Sequence, residues 1–249
     1  MTRLYLVIAA LVWSLNSGAY TVVIDAGHGG KDAGALGLVT KEKHINLAVA
    51  LALGKMITDN CPDVKVIYTR KTDVFVDLDE RAAIANRAKA DLFISIHTNS
   101  TASGLKGTSA NGTETYTLGM HRANDNLAVA KRENSVIMLE KDYEQKYEGF
   151  DPRKSESYII FELMQDRNMA SSVNLARHIQ NQFQQTARRV NKGVYQAGFL
   201  VLRQTSMPSV LIELGYINNA SEEAFLNSGD GQQKMAQSIF NAFRQYRKK

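Results

Sequence analysis

Short apolar runs alternate along the chain with longer amphipathic stretches. Four runs are β-branched and nearly continuous in apolar residues, which is typical of strands buried on both faces. They cover residues 21–25, 64–69, 91–96 and 209–214. A further run at 113–118 alternates apolar and polar residues and predicts a strand nearer an edge of the sheet.

Amphipathic stretches separate these strands. Apolar residues recur at helical spacing over 42–59, 78–90, 169–189 and 231–247. Alternating strands and helices predict an α/β fold, in which an open, mostly parallel twisted sheet carries helices on both faces. Ligand sites in such sheets lie beyond the carboxyl ends of the strands. Polar residues at those ends are therefore the candidates for function.

The first nineteen residues differ from the rest. Arg3 precedes an apolar stretch at 4–15, which is too short to span a bilayer, and small residues follow it. These features are typical of a secretory signal peptide cut after Ala19, although a buried first strand or helix is the alternative. We therefore expect an exported protein, periplasmic or extracellular, whose mature chain 20–249 is one domain outside the membrane.

The composition narrows the class of protein. The 249 residues are 44% hydrophobic and 22% charged, so we expect a folded globular chain. The single cysteine, Cys61, excludes an internal disulfide and a cysteine-rich zinc cluster. A net charge of +5 allows an anionic partner such as an acidic cell-wall polymer. Because no long run of lysine and arginine is present, we expect no nucleic-acid partner.

Histidines and carboxylates lie at the predicted strand ends. His28 follows the first strand, His97 ends the third, and Glu213 lies in the last; Glu42 begins the first helix. Two imidazoles and a carboxylate form a common catalytic zinc set, although each histidine could instead cap a strand end. Glu213 in an apolar strand requires a cation or hydrogen-bond donors, and backbone amides are the alternative to a catalytic role.

The glycine-rich segment 25–34 is not a nucleotide loop. Gly30 and Lys31 are followed by Asp32, where a phosphate-binding loop needs the hydroxyl that holds magnesium. Counting from Gly27, Asp32 also replaces the third glycine of a dinucleotide-binding fingerprint. The glycines instead allow the backbone to pass close to a ligand or ion beside His28.

Motifs along the whole predicted mature chain match one family in order. They are residues 24–35, Glu42, 69–73, 78–86, 91–99 and 210–219. Together they resemble the type 3 family of zinc-dependent N-acetylmuramoyl-L-alanine amidases, from about Val22 to Tyr246. The family usually has proline where this chain has Ala26, a difference that changes loop stiffness rather than ligand chemistry.

The resemblance implies that His28, Glu42 and His97 ligate one zinc ion per chain. It also implies that Glu213 is the catalytic carboxylate. The expected reaction is hydrolysis of the peptidoglycan amide that joins N-acetylmuramic acid to the L-alanine of the stem peptide, in wall remodelling and daughter-cell separation. The sequence leaves open a peptidoglycan-binding domain without turnover, and a zinc peptidase that acts on another amide.

Four further polar residues accompany the family motifs: Asp25, Arg70, Arg81 and Asn86. We expect them to orient the ligands or to contact the acidic stem peptide. Ordinary salt bridges at strand ends and helices explain such residues equally well.

The connection between Leu118 and Met169 is about fifty residues long, and connections of that length are functional or mobile. Residues 134–144 predict a helix that turns from apolar to charged, and residues 158–164 are strongly apolar.

Some members of the family that the chain resembles carry an insertion at this connection. An acidic residue of the insertion plugs the zinc until an activator protein withdraws the segment. By resemblance, residues 120–165 are expected to be such a regulatory insertion, with Glu140 or Glu144 as the plug. The alternative is an extra layer that packs on the edge of the sheet.

Overall fold

The computed structural model describes residues 19–101, 108–120, 124–162 and 166–248. The predicted signal peptide lies outside these ranges except for Ala19. Among the described helices, none combines the length and the apolar character that crossing a membrane requires.

Six strands of the described chain form one sheet. They are β1 (Tyr20–Ala26), β2 (Val64–Tyr68), β3 (Leu92–Asn99), β4 (Thr113–Leu118), β5 (Asn191–Ala197) and β6 (Ser209–Tyr216). Their spatial order is β2-β1-β3-β6-β4-β5. Every neighbouring pair is parallel except β4 and β6, which are antiparallel. The predicted α/β fold with a mostly parallel sheet is confirmed.

Helices cover both faces of this sheet, also as predicted. They are α1 (Glu42–Asn60), α2 (Leu78–Arg87), α3 (Asn124–Asn134), α4 (Tyr143–Lys146), α5 (Met169–Gln185), α6 (Leu200–Arg203), α7 (Ala220–Leu226) and α8 (Gly229–Arg247). The long helices α1, α5 and α8 pack on one face, and α2, α3 and α6 pack on the other.

The continuous apolar strands follow from this two-sided cover. Successive side chains of a strand point to opposite faces, and both faces of β1, β3 and β6 are buried. The run at 64–69 is an exception, because β2 is an edge strand and is only partly buried. In β3, Ile94 packs in the core under α1, α5 and α8, whereas Phe93 packs in the opposite core. Both are fully buried, and burial of each such side chain stabilises the fold by about 1.5–3 kcal/mol.

The connection between β4 and α5 is helical. Its first helix is α3, and 3₁₀ segments follow at Ser135–Leu139 and Ser155–Glu162. Val129 and Ala130 of α3 pack in the core that also holds Phe93, together with Ile137 and Phe161 further along the connection. The single helix that the sequence predicts over 134–144 is wrong: that range contains the last residue of α3, the first 3₁₀ segment, a non-helical turn and the start of α4. Residues 124–162 form a layer over the sheet.

Candidate metal centre

His28 is held in place by an unusual backbone conformation after β1. Its φ is 61°, in the left-handed region that costs a non-glycine residue energy. The side chain donates a hydrogen bond from Nδ1 to Asp32 Oδ2 at 2.7 Å, so Nε2 is the nitrogen free to bind a ligand. The neighbouring Gly27 is required by space, because a Cβ there would collide with the ring of His97.

The structure brings together the three ligands that the resemblance implies. One donor atom from each of His28, Glu42, His97 and Glu133 lies within 4.8 Å of the other three. Glu42 Oε1 lies 3.1 Å from His28 Nε2 and 3.2 Å from His97 Nδ1. Glu133 Oε2 lies 3.0 Å and 2.9 Å from the same two nitrogens. All four side chains are buried.

These atoms converge on a common point rather than on one another. His28 Nε2, His97 Nδ1 and Glu133 Oε2 are buried and have no hydrogen-bond partner among the described residues, although their separations are short. Buried polar atoms without partners are costly, and a cation bound between them removes that cost. Two imidazole nitrogens and carboxylate oxygens are donors that zinc accepts in tetrahedral sites. The donor set therefore fits a divalent metal.

The charges of this cluster compensate one another. Burial lowers the pKa of His97, but the carboxylate of Glu133 outweighs burial and raises it to about 9. Burial raises the pKa of Glu42, but the charge of His28 holds it below its usual value. The pKa of Glu133 lies well below its usual value because Arg132 and His97 outweigh burial. The carboxylates thus raise the pKa of both histidines above the ordinary value, and a metal bound by the imidazoles would displace their protons.

Glu42 is fixed by hydrogen bonds at the first turn of α1. Its Oε1 accepts from Thr98 N at 2.9 Å and Asn46 Nδ2 at 3.1 Å. Its Oε2 accepts from Ala35 N at 2.8 Å. Partners that orient a ligating carboxylate in this way sharpen metal affinity.

Glu213 lies in β6 beside the cluster. It pairs in register with His97 of β3, so both side chains project from the same face of the sheet. Its Oε1 lies 3.4 Å from Arg132 Nη2, and Oε2 has no hydrogen bond to the described residues. Burial and the nearby charge of Glu133 raise the pKa of Glu213 well above its usual value. The group can therefore carry and release a proton.

Arg70 and Arg81 lie under the loop that carries His28. Arg81 donates to the carbonyls of Ala26 and His28 at 2.9 Å and 3.0 Å and pairs with Asp25 at 2.8 Å. Arg70 donates to Ala26 O at 2.8 Å and to Gly27 O at 2.9 Å. All three polar side chains are buried. The two arginines hold the backbone of the loop, and Asp25 holds Arg81 together with the hydroxyls of Thr69 and Ser95.

Asn86 does not join the cluster. It donates from Nδ2 to Gln204 O at 2.7 Å, and its Oδ1 accepts from Ser206 N at 3.0 Å. These contacts join α2 to the turn after α6.

The acidic residue of the insertion at the histidines is Glu133, rather than Glu140 or Glu144. Glu140 accepts hydrogen bonds from Leu78 N at 2.8 Å and Tyr147 Oη at 2.9 Å, so it caps the start of α2. Glu144 is exposed. Glu133 is the last residue but one of α3, which ends at Asn134. The end of this helix therefore places the Glu133 carboxylate at the histidines.

The sequence contains one feature that could have identified Glu133, which is its position as a charged residue on an apolar helical face. It lies four residues after Val129, three after Ala130 and three before Val136, all of which are buried. An isolated carboxylate in such a stripe needs a compensating partner. However, α3 contains few large apolar residues, so the helical pattern of its sequence is weak.

Comparisons with known proteins agree on one family. The family described as N-acetylmuramoyl-L-alanine amidase matches residues 22–245. The N-acetylmuramoyl-L-alanine amidase AmiA of Escherichia coli (strain K12) is 33% identical over 227 residues, which are 90% of this chain and 75% of that protein.

Solved structures of amidases also share the fold. The N-acetylmuramoyl-L-alanine amidase of Clostridium difficile 630 superposes with a TM-score of 0.68 at 27% identity, covering 93% of this chain and 98% of that one. The amidase AmiC2 of Nostoc punctiforme superposes with a TM-score of 0.67 at 29% identity, covering 94% and 99%.

Proposed function

The chain belongs to the N-acetylmuramoyl-L-alanine amidase family and is a peptidoglycan amidase, and we propose that zinc held by His28, Glu42 and His97 serves its reaction. One observation carries this proposal: His28 Nε2 and His97 Nδ1, which have no hydrogen-bond partner in the described part of the chain, face Glu42 in a buried cluster. Bound zinc would act as a Lewis acid toward carbonyl and water oxygens. Asp32 leaves Nε2 of His28 available by accepting from Nδ1.

Glu213 moves the proton in the proposed mechanism. As a carboxylate it accepts a proton from the attacking water, whose oxygen bonds to the amide carbon. The carbon–nitrogen bond then breaks, and Glu213 returns the proton to the nitrogen, which leaves as the amine of L-alanine. The position of Glu213 beside His97, with Oε2 unpaired within the described chain, supports this role.

The helix α3 is proposed to be a gate. Glu133 takes the fourth donor position of the cluster, the place that substrate and water need in a catalytic site. The adjacent Arg132 pairs with Glu213 Oε1 at 3.4 Å and donates to Ser100 O at 2.8 Å. Two neighbouring residues of one helix thus contact both the metal ligands and the catalytic carboxylate.

Removing the Glu133 carboxylate is expected to open the gate. We expect Glu133→Ala to raise basal turnover about 10- to 100-fold, because a charge-assisted contact contributes about 1.5–3 kcal/mol to the closed state. The measurement is dye release from labelled cell wall by the purified protein without a partner, with zinc content determined in parallel.

Glu144→Ala is the matched control, because Glu144 is exposed in the same insertion. It should leave turnover unchanged. A folded, zinc-loaded Glu133→Ala protein with the wild-type rate would show that α3 does not restrain the enzyme.

A partner protein is proposed to withdraw the gate. The insertion presents large apolar side chains to solvent, with Met138, Leu139, Ile159 and Ile160 between 37% and 55% exposed. Exposed apolar residues grouped on one segment favour a binding surface. We also propose export by the signal peptide at 1–19, a mature domain at 20–249 and a role in daughter-cell separation, since the substrate is the cell wall.

Mass analysis of digested cell wall tests the bond that is cut. We expect stem peptides that begin with a free L-alanine amine, together with unbroken glycan strands, and we expect a chelator to stop their release. A peptidase would produce a different peptide end, and a binding domain would release nothing. Either of these results would contradict the proposed mechanism.

A further inference from the structure

A cavity of about 390 Å³ lies beside Glu213, between the sheet and α3. Glu114, Lys192 and Tyr216 line it from the sheet, and Arg132 lines it from the helix. Its volume is within the range of small-ligand sites. The roles assigned so far do not use this cavity.

The cavity continues the row of functional side chains across the sheet. His97 of β3 pairs with Glu213 of β6, and Glu213 pairs with Glu114 of the antiparallel β4. Directly opposite residues project from the same face, so the three side chains follow one another in space. The histidines lie at one end of the row, and the cavity lies at the other.

The proton transfer fixes the direction in which the substrate lies. Glu213 must be within hydrogen-bond reach of the departing nitrogen, since it gives that nitrogen its proton. The nitrogen, and the L-alanine attached to it, therefore lie on the Glu213 side of the reacting carbon. The next depression on that side is the cavity over β4 and β5, so the peptide rather than the sugar extends into it.

A β-bulge aims one cation into this cavity. Along β5, Asn191 pairs with Thr113 and Gly193 pairs with Glu114, which leaves Lys192 as the extra residue. Bulges redirect side chains and are rare between parallel strands. Lys192 lines the cavity there, with Nζ 3.4 Å from Glu114 Oε1 and 4.8 Å from the ring centroid of Tyr216.

Lys192 is not needed to satisfy Glu114. That carboxylate already accepts from Tyr116 Oη at 2.7 Å, Tyr216 Oη at 2.8 Å and Asn99 Nδ2 at 3.1 Å. The lysine side chain is 33% exposed, and its contact with Glu114 is longer than a strong charge-assisted hydrogen bond. It can therefore turn toward a second anion at little cost.

We propose that the sheet wall of this cavity, formed by Glu114, Lys192 and Tyr216, is the subsite for the stem peptide and that Lys192 binds a carboxylate on the residue that follows L-alanine. The inference rests on the proposed function and on the proposed gate. When α3 withdraws, Arg132 leaves with it, whereas Lys192 stays because it belongs to the sheet. The enzyme then prefers peptides whose second residue carries a free carboxylate over those with a carboxamide there.

Two matched substrates test this preference. They are synthetic muramoyl-L-alanyl peptides that differ only in a carboxylate or a carboxamide on the second residue. In the full-length, zinc-loaded Glu133→Ala protein, we expect Lys192→Met to raise KM for the carboxylate substrate at least about tenfold with kcat unchanged. KM for the carboxamide substrate should not change, and Lys192→Arg should restore most of the preference.

Lys65→Met is the control, because Lys65 is exposed on β2 at the opposite edge of the sheet. Equal effects of Lys192→Met on both substrates, or no effect on either, would overturn the inference while leaving the amidase mechanism intact. Equal KM values for the two substrates in the parent protein would do the same. If the parent protein cleaves neither substrate, the proposed function fails, and the inference fails with it.

Discussion

Replacing Glu213 with glutamine is expected to lower kcat about 1,000-fold while zinc stays bound. The amide has nearly the shape of the carboxyl group but cannot accept the proton of water or return it to the leaving nitrogen. No ligand of the proposed metal is changed, since Glu213 Oε1 faces Arg132 and is not part of the four-residue cluster. Steady-state hydrolysis and metal analysis of the same preparation measure the two effects.

Glu80→Gln is a suitable control for this substitution. Glu80 pairs with Arg87 on the exposed side of α2, where solvent screens the pair and it contributes little to stability. It should change neither rate nor zinc content. Near-normal hydrolysis by Glu213→Gln would remove Glu213 from the mechanism, and loss of zinc would make it a ligand instead.

Replacing His28 with alanine is expected to abolish both zinc binding and turnover. The change removes one of two imidazole donors and leaves Asp32 and the cluster carboxylates without their histidine partner. Loss of a residue that merely orients a ligand weakens affinity about 10- to 100-fold, so loss of a ligand should exceed about 100-fold. Titration with zinc in a competing chelator measures the affinity, and hydrolysis of labelled wall measures the turnover.

His44→Ala provides the matched comparison, because His44 is exposed on α1 two residues after Glu42. It should bind zinc and hydrolyse wall as the wild type does. Thermal unfolding of both variants separates a lost ligand from a lost fold. Wild-type zinc affinity in a folded His28→Ala protein would contradict the proposed ligand set.

The parts that could be predicted from sequence are those whose burial is uniform. The central strands are covered on both faces, so residues 92–96 and 210–212 are apolar except for Ser95, and the titratable residues His97 and Glu213 that follow them are conspicuous. Parallel strands bring their ends to one edge, which allows residues far apart in the chain to be placed together. The glycine-rich segment around His28 could be assigned to the site in the same way, because it follows the carboxyl end of β1.

The elements that the sequence did not predict are β5 and α3, whose positions depend on contacts that no sequence pattern marks. The edge strand β5 is only partly buried and contains polar residues and Gly193, so neither a continuous nor an alternating pattern marks it. The helix α3 takes its place from contacts with the sheet rather than from its own apolar spacing. Glu133 is buried only because distant residues supply its partners. Single-sequence patterns do not contain that information.

The helix α3 contacts both the histidine cluster and the cavity beside Glu213, so its displacement, as proposed, would open both places together. Any molecule that binds only when the helix is displaced shifts the same equilibrium. If a partner displaces the helix as proposed, that partner and a wall peptide that enters beneath the helix must strengthen each other's binding by equal factors. Intact wall would then recruit the partner to this enzyme as effectively as the partner prepares the enzyme for the wall.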